Sequence, residues 1–337
     1  MKIALITINQ PSLDAACRLV PYLKGYEVDI YGKRELTHTL EHLHLFEKLD
    51  DILPSAWSRY DALICILAVG AVVRKIAPLL EDKATDPAVL IVNLGLDRIV
   101  PLLSGHLGGA NALADRVAMR LPNCINFIST ATDQTRTLAF DMLAKERGWE
   151  IENIKALARV SNRLLNKQTV KVATYPAIFK TIPDKSNLEL RGFDLIDPDT
   201  VVIAPNVSSN SLILRPKVYL GIGCNRGTPM EQIEEAVLSF LEKNLLSIKD
   251  VEKIATFEAK ADEAGLLDFA KKYDLVMEFY KKEDINALEN NFSPSASTKF
   301  FGLKGVSEPS SILVSRYKEL IIEKEVYFKS ITVAGAL

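Results

Sequence analysis

The stretch IVPLLSGHLGGAN, residues 99–111, contains a strand, a turn and the start of a helix. Its first five residues are apolar and mostly branched, which predicts a buried strand, and apolar side chains recur at helical spacing after residue 111. Glycines in such a turn let a ligand approach the backbone, and the helix start offers free N–H groups to an anion. The sequence therefore predicts a ligand site formed by Ser104, Gly105, Gly108, Gly109 and Asn111.

The same turn contains one imidazole, that of His106. A histidine there can move a proton near neutral pH, which makes His106 a candidate catalytic residue. The alternative is that the glycines serve only a tight connection and that His106 is packed or solvated, as most histidines are. Both interpretations stay open at this point.

A second turn of this kind follows the most apolar stretch of the chain, residues 61–69. Gly70 ends the predicted strand, and Arg74 lies early in the predicted helix, so the helix dipole and a guanidinium favour the same anion. Open α/β sheets bind ligands at the carboxyl ends of their strands, which supports a binding role. Alternatively, Arg74 only solvates the helix start.

A third such turn follows the strand predicted at 217–223. Gly223, Arg226 and Gly227 again combine glycine with a cation ahead of a helix. Thr228 is the predicted N-cap, since a proline and then a glutamate three positions after the threonine complete a capping box. The pattern predicts another anion site.

Charged side chains also follow later strands of the C-terminal segment. Lys260 and Asp262 occupy alternate positions after the strand predicted at 254–258, so they can face one polar ligand. Asp262 and Glu263 are equally well explained as acids at a helix start, where the dipole favours them. Glu308 follows a glycine turn at another helix start and either caps that helix or binds a ligand.

The order of elements predicts the fold class. The chain begins strand–helix–strand, over 3–8, 13–23 and 27–31, which implies a parallel sheet flanked by helices. Strands at 88–93 and 97–103 are close enough to form a hairpin. We expect a multi-module α/β protein, with parallel or mixed sheets flanked by helices in its N- and C-terminal domains.

Length and charge limit the alternatives. The 337 residues suffice for two or three domains, predicted as an α/β domain at 1–130, a small middle module or spacer at 131–215 and an α/β domain at 216–337. A net charge of −2 gives no general attraction to nucleic acid or acidic membranes. The longest apolar block, 62–73, is too short to span a bilayer. The four cysteines are scattered, so we expect a reducing cytoplasm and no disulfide framework.

The motifs of several common site types are missing from the sequence. His38 and His42 would share a helix face, but no third metal ligand is evident, and a solvated surface segment is favoured. The chain has no GxGxxG, Walker, GxSxG or HExxH pattern. We therefore predict no metal site and no cofactor, and acid–base chemistry by histidine and carboxylates remains.

Several motifs together resemble one family. The resemblance is carried, in order, by segments 70–74 (GAVVR), 78–89, 101–111, 221–229, 260–266 and 306–309. These segments are similar to the CbiG family of cobalamin biosynthesis, which has N-terminal, middle and C-terminal parts. Asn225 stands where much of that family is expected to carry a basic residue.

The resemblance implies hydrolysis of cobalt-precorrin-5A. Water opens the ring-A δ-lactone of this corrinoid, and acetaldehyde departs to leave cobalt-precorrin-5B. The substrate is a macrocycle edged with carboxylates, which agrees with the predicted anion sites, and its cobalt arrives within it. On this basis His106 transfers the proton, while Arg74, the amides of 105–109 and Arg226 hold carboxylates or an oxyanion. Lys260 and Asp262 are expected to face the same cleft, and Asp262 is the second candidate catalytic residue beside His106.

Two other functions stay open. A non-catalytic corrinoid carrier needs the same anion sites but no proton-transfer group. A nucleotide or nucleotide-sugar enzyme on a similar frame is the weaker alternative. The expected partner is a small corrinoid, and a homodimer stays open.

Overall fold

The computed structural model describes residues 1–36, 43–82, 85–130, 137–293 and 302–337. The chain forms two compact units, Met1–Thr137 and Leu138–Leu337. Each unit has its own sheets and helices, so the predicted α/β class with mixed sheets is confirmed. The domain boundaries at 130 and 215 stay predictions.

The first unit is built on a seven-stranded sheet with the order β3-β2-β1-β4-β5-β6-β7. Its strands are β1 (Lys2–Ile6), β2 (Glu27–Lys33), β3 (Leu43–Phe46), β4 (Ala62–Cys65), β5 (Ala88–Val92), β6 (Arg98–Leu103) and β7 (Ile125–Asn126). All neighbouring strands are parallel except β5 and β6, which form the predicted antiparallel hairpin. The central strands are continuous apolar runs because both of their faces are covered.

Two pairs of helices cover the two faces of this sheet. They are α1 (Gln10–Leu19), α2 (Leu49–Arg59), α3 (Val69–Ile76) and α4 (Ala110–Arg120). Side chains of α1 and α4 pack in one buried cluster, whereas those of α2 and α3 pack in another. Helices on both faces are the expected consequence of right-handed crossovers between parallel strands.

The second unit contains two five-stranded sheets. The first has the order β10-β9-β11-β12-β8, from β8 (Glu150–Glu152), β9 (Val170–Thr174), β10 (Leu188–Arg191), β11 (Val201–Ile203) and β12 (Leu212–Arg215). Its helices are α5 (Phe140–Arg147), α6 (Leu157–Leu165) and α7 (Pro176–Lys180). The stretch predicted as a small module or a spacer is thus a folded sheet with its own helices.

The last sheet has the order β15-β14-β13-β17-β16. Its strands are β13 (Val218–Gly223), β14 (Val251–Phe257), β15 (Val276–Tyr280), β16 (Leu320–Tyr327) and β17 (Ile331–Ala336). Its helices are α8 (Met230–Lys243), α9 (Ala264–Lys272), α10 (Lys282–Ala287) and α11 (Ser307–Val314). One cluster of buried side chains extends through both sheets of this unit.

A close backbone contact fixes α11 on this sheet. A Cβ added to Gly221 of β13 would overlap the carbonyl oxygen of Ser307 and lie 2.6 Å from the backbone nitrogen of Ser311. Only glycine leaves room for the helix backbone at that distance. The helix therefore lies directly on the strand that leads to the Arg226 turn.

None of the helices in the described part of the chain combines the length and apolar character that crossing a bilayer requires.

Candidate functional site

The turn between β6 and α4 is closed by its own backbone. Ser104 has a positive φ of 55°, and its hydroxyl donates to the carbonyl oxygen of Asp86 at 2.9 Å. The N–H groups of Ala110 and Asn111 donate to the carbonyl oxygens of Ser104 and Gly105 at 3.1 and 3.0 Å. The turn that contains His106 is thereby held against the start of β5.

The glycines of this turn are required by packing. A Cβ on Gly105 would lie 2.8 Å from Oδ1 of Asn111, and one on Gly108 would overlap Ser104. Gly109 has a φ of 83°, which glycine adopts without strain. Asn111 is only 8% exposed, and its amide donates to the hydroxyl of Thr130 at 3.1 Å. Asn111 therefore supports the turn, and its predicted contact with a ligand stays a prediction.

A cavity of about 470 Å³ adjoins the turn, and its lining includes Trp57, Glu81, Thr85, Asp86 and Gly108. His106 is half-buried in the same turn, and its carbonyl oxygen accepts the N–H of Gly109 at 3.1 Å. Asp86 is buried, and its carboxylate accepts the N–H of Glu81 at 3.2 Å. Asp86 belongs to none of the single motifs predicted to bind a ligand, although it lies in the segment 78–89 that resembles the CbiG family.

Gly70 and Arg74 both lie in α3, which begins one residue before Gly70. The predictions that Gly70 ends the strand and that Arg74 lies early in the helix are wrong, because β4 already ends at Cys65 and Arg74 is in the last turn of α3. The Arg74 guanidinium is exposed and reaches back to the carbonyl oxygen of Gly70 at 3.4 Å. The N-cap residue, Ala68, has no side chain that can bond the helix start. A crevice of about 360 Å³ lies beside it, and Asn9, Leu67, Ala68 and Asn93 are among its lining residues.

The structure does not bring Arg74 and His106 to the same edge of the first sheet. Strands β1, β4 and β5 are parallel, so they end at one edge, the carboxyl edge, and begin at the other, the amino edge. Arg74 follows the end of β4 and belongs to the carboxyl edge. Because β6 runs antiparallel to β5, Leu103 pairs with Val89, and the His106 turn lies at the amino edge. The expectation that these two turns line one crevice is wrong.

In the second unit, the turns after β13 and β14 do meet. Nη1 of Arg226 donates to both carboxylate oxygens of Asp262 at 3.0 Å, and Nη2 donates to the carbonyl oxygen of Ala259 at 3.0 Å. The hydrogen bonds and the charge of Arg226 lower the pKa of Asp262, which keeps this carboxylate ionised. The predicted proximity of these two site residues is therefore present in the structure.

Glu263 is a buried side chain that connects the same two turns. It is 4% exposed, and its Oε1 accepts the N–H of Gly227 at 2.6 Å. Its Oε2 accepts Nζ of Lys260 at 3.3 Å. The sequence suggested only a dipole effect for Glu263, because a contact over 36 residues leaves no local signal. Glu263 holds the Arg226 turn, and Lys260 is tied to it.

Thr228 does not cap α8, so the predicted capping box is wrong. The N-cap is Pro229, without a side-chain hydrogen bond, and the Thr228 hydroxyl donates to the carbonyl oxygen of Asn225 at 2.8 Å. The hydroxyl closes the Arg226 turn on itself. Packing also favours glycine at position 223, since a Cβ there would lie 2.6 Å from Oγ1 of Thr332.

Glu308 is 3% exposed, and protein donors contact both of its carboxylate oxygens. Oε2 accepts the N–H of Ser293 at 2.9 Å, while Oε1 accepts the Ser293 hydroxyl at 2.9 Å and the N–H of Lys324 at 3.1 Å. These contacts link α11 to the loop before it and to β16. They favour a structural role for Glu308, beside the predicted capping or binding roles.

The predicted histidine pair, His38 and His42, lies outside the described residues. Within the described ranges, no group of three His, Cys, Asp or Glu side chains is arranged to hold a metal ion.

Comparison with known proteins accounts for these motifs. Three family models match consecutive segments: the N-terminal part of cobalamin synthesis G at 51–133, the cobalamin biosynthesis central region at 138–216 and the C-terminus of cobalamin synthesis G at 218–336. A cobalt-precorrin-5A hydrolase of Priestia megaterium is 33% identical over 297 residues, which are 81% of this chain and 78% of that protein. The chain belongs to the CbiG family.

A second relative agrees with this membership. A cobalt-precorrin-5A hydrolase of Salmonella typhimurium is 29% identical over 277 residues, 77% of this chain and 78% of that protein. A crystal structure of a cobalamin biosynthesis protein G homolog from Sulfolobus solfataricus aligns with 99% of this chain and 96% of its own, at 19% identity and a TM-score of 0.39. Among the CbiG motifs named from the sequence, segments 101–111, 221–229 and 260–266 include the His106 and Arg226 turns and the residues around Asp262, whereas segment 70–74 lies in α3.

Proposed function

We propose that this CbiG protein is a cobalt-precorrin-5A hydrolase of anaerobic cobalamin biosynthesis. Water opens the ring-A δ-lactone of the substrate, acetaldehyde is released, and cobalt-precorrin-5B remains. The observation that carries the proposal is the match, over more than three quarters of the length of each relative, to cobalt-precorrin-5A hydrolases. The cobalt belongs to the substrate, so the proposal requires no metal held by the protein.

His106 is the proposed proton-transfer group. It acts either as base for the attacking water or as acid for the oxygen that leaves the lactone. Its turn adjoins a cavity of about 470 Å³, and the turn is held in place by the Ser104 and Asn111 hydrogen bonds. The backbone of residues 105–109 is proposed to contact the developing oxyanion.

Arg226 is proposed to hold a substrate carboxylate, with Gly223, Gly227, Thr228 and Lys260 shaping or supporting its turn. Arginine N–H groups match carboxylate oxygens in geometry and charge. Asp262 is less suited to proton transfer, since its contact with Arg226 lowers its pKa. The His106 turn and the Arg226 turn belong to different units, and one cleft containing both stays a prediction.

Arg74 and Gly70 are not proposed as contacts to the reacting lactone, because they lie at the edge opposite His106. A role for them in binding another carboxylate stays a prediction. A cytoplasmic location, and a small corrinoid as partner without nucleic acid or membrane, are likewise proposals that rest on composition and on the family. A homodimer stays open.

Incubation of the purified protein with cobalt-precorrin-5A tests the proposal. Acetaldehyde is measured by coupling to alcohol dehydrogenase, and the corrinoid product is identified by mass spectrometry. We expect acetaldehyde in equal amount to the lactone consumed. A carrier would bind the corrinoid without releasing acetaldehyde, and that result would refute the hydrolase. A nucleotide enzyme would instead show thermal stabilisation by nucleotides.

A further inference from the structure

Two neighbouring carboxylates at the end of β14 differ sharply in their surroundings. Glu263 is 4% exposed and holds the Arg226 turn through Gly227. The side chain of Asp262 is 72% exposed and contacts the guanidinium of Arg226, itself 63% exposed. Glu263 is therefore part of the framework, whereas Asp262 lies at the surface.

The guanidinium keeps a second attachment that does not involve Asp262. Nη2 donates to the carbonyl oxygen of Ala259 at 3.0 Å, and the backbone of the turn is held by Glu263. If Asp262 moves away, these contacts still position Arg226. The nitrogen that Asp262 occupies, Nη1, then becomes available to another acceptor.

Nη1 of Arg226 now contacts the carboxylate of Asp262, and the proposed substrate presents the same kind of group. Both are carboxylates, and both oxygens of Asp262 lie at the same 3.0 Å from Nη1. Exposed ion pairs of this kind are weak and screened by salt, so one carboxylate readily replaces another. Asp262 and a substrate carboxylate must therefore exclude each other at Nη1.

We infer that Asp262 sets the affinity for the substrate by competing with a substrate carboxylate for Arg226. The inference rests on the proposed function for the identity of that substrate. It makes Asp262 a specificity-determining residue, because a ligand without a carboxylate at this position does not displace it. It predicts a gain of affinity on removal of the acid, whereas a catalytic or orienting role predicts a loss.

The test compares Asp262→Asn and Asp262→Ala with the wild type. Asp268→Asn is the matched control, since it removes one negative charge from an exposed position of α9 in the same region. For each protein, kcat and KM are measured with cobalt-precorrin-5A by acetaldehyde release. Binding of cobyrinic acid, a corrin with free acetate and propionate groups, is measured by titration calorimetry.

Both Asp262 variants are expected to lower KM and the Kd of cobyrinic acid by about two- to five-fold at low salt. The gain should shrink as ionic strength rises, and kcat should not fall in proportion. Asp268→Asn should change neither constant by a comparable factor, and Arg226→Ala should abolish the effect of Asp262→Asn. Because Asp262 and Asp268 are exposed, their variants should unfold near the wild-type temperature.

Three results would overturn the inference. The first is an unchanged or raised KM and Kd, which would make Asp262 inert or an orienting group. The second is a fall in kcat at constant KM, which would place Asp262 in the chemistry. The third is cobyrinic acid binding that does not respond to Arg226→Ala. If Asp262→Asn binds cobyrinic acid more tightly but the protein releases no acetaldehyde, the inference is retained and the hydrolase function is refuted.

Discussion

The carboxylate of Glu263 accepts the backbone N–H of Gly227 at 2.6 Å, which connects turns 36 residues apart in sequence. The contact forms because β13 and β14 are parallel neighbours, so their following turns lie at one edge of the sheet. Gly227 has a φ of 76°, and its N–H points at a buried carboxylate. The position of Arg226 in this turn depends on that hydrogen bond.

Replacement of Glu263 should destabilise the second unit. Glu263→Ala leaves the N–H of Gly227 and the ammonium of Lys260 without their acceptor, at a cost of about 2 kcal/mol. Glu263→Gln keeps one acceptor oxygen and should cost about half as much. Thermal unfolding of both variants checks the order, with Glu235→Gln on the exposed face of α8 as the control. Equal Tm values for Glu263→Ala and Glu235→Gln would contradict a stabilising role for the hydrogen bonds of Glu263.

Gly221 and Gly70 should respond oppositely to alanine. A Cβ at Gly221 would overlap the backbone of α11, so Gly221→Ala should cost about 3 kcal/mol or prevent folding. A Cβ at Gly70 would meet only the Arg74 guanidinium, at an ordinary 3.5 Å. Because alanine favours helix over glycine, Gly70→Ala should keep or slightly raise the Tm. Soluble yield and thermal unfolding measure both, and a stable Gly221→Ala protein would disprove the close packing.

The sequence predicted the elements with strong local signals. Continuous apolar runs located β4 and β13, and the short link between β5 and β6 predicted their hairpin. Strands β10 and β15 were not predicted, because they are short edge strands whose partly exposed residues form no continuous apolar run. The middle segment was therefore predicted as a small module or spacer, although it forms a five-stranded sheet.

The edge at which a turn lies does not follow from the turn motif alone. A strand, a glycine turn and a helix have the same sequence whichever way the strand runs in its sheet. The reversal at β6 moves His106 to the edge opposite Arg74; the predicted hairpin implied this reversal, but the motif around His106 did not show it. Thr228 was wrongly predicted as a cap for a different reason, since its hydroxyl donates to the carbonyl oxygen of Asn225 within the same turn.

Acid should weaken the contribution of Tyr60 to stability. Its hydroxyl donates to Asp29 at 2.5 Å, and this bond is the main cause of the lowered pKa of Asp29. A carboxyl with a lowered folded-state pKa stabilises the protein above its unfolded-state pKa of about 4. That contribution disappears as the pH falls through the folded-state value.

Tyr60→Phe should therefore lower the Tm at pH 7 and differ less from the wild type as the pH falls below about 4. Thermal unfolding across this pH range measures the difference. Tyr26→Phe is the control, since Tyr26 contacts Arg116 and Arg120 through its ring. A Tyr60→Phe deficit that stays constant at all pH values would assign the loss to packing or to the Tyr31 hydroxyl, not to Asp29.

His106→Ala should lower the rate of acetaldehyde release by a factor of about 100 to 10,000, the usual contribution of a positioned proton-transfer group. Hydrogen bonds of backbone atoms and of Ser104 and Asn111 hold the turn of half-buried His106, and the Tm is measured beside turnover to establish that the variant is folded. His44→Ala is the control, because it removes another imidazole of the same unit, on β3. Near-wild-type turnover by a folded His106→Ala protein would remove His106 from the chemistry. Loss of turnover in both variants, with a lowered Tm, would point to the stability of the first unit instead.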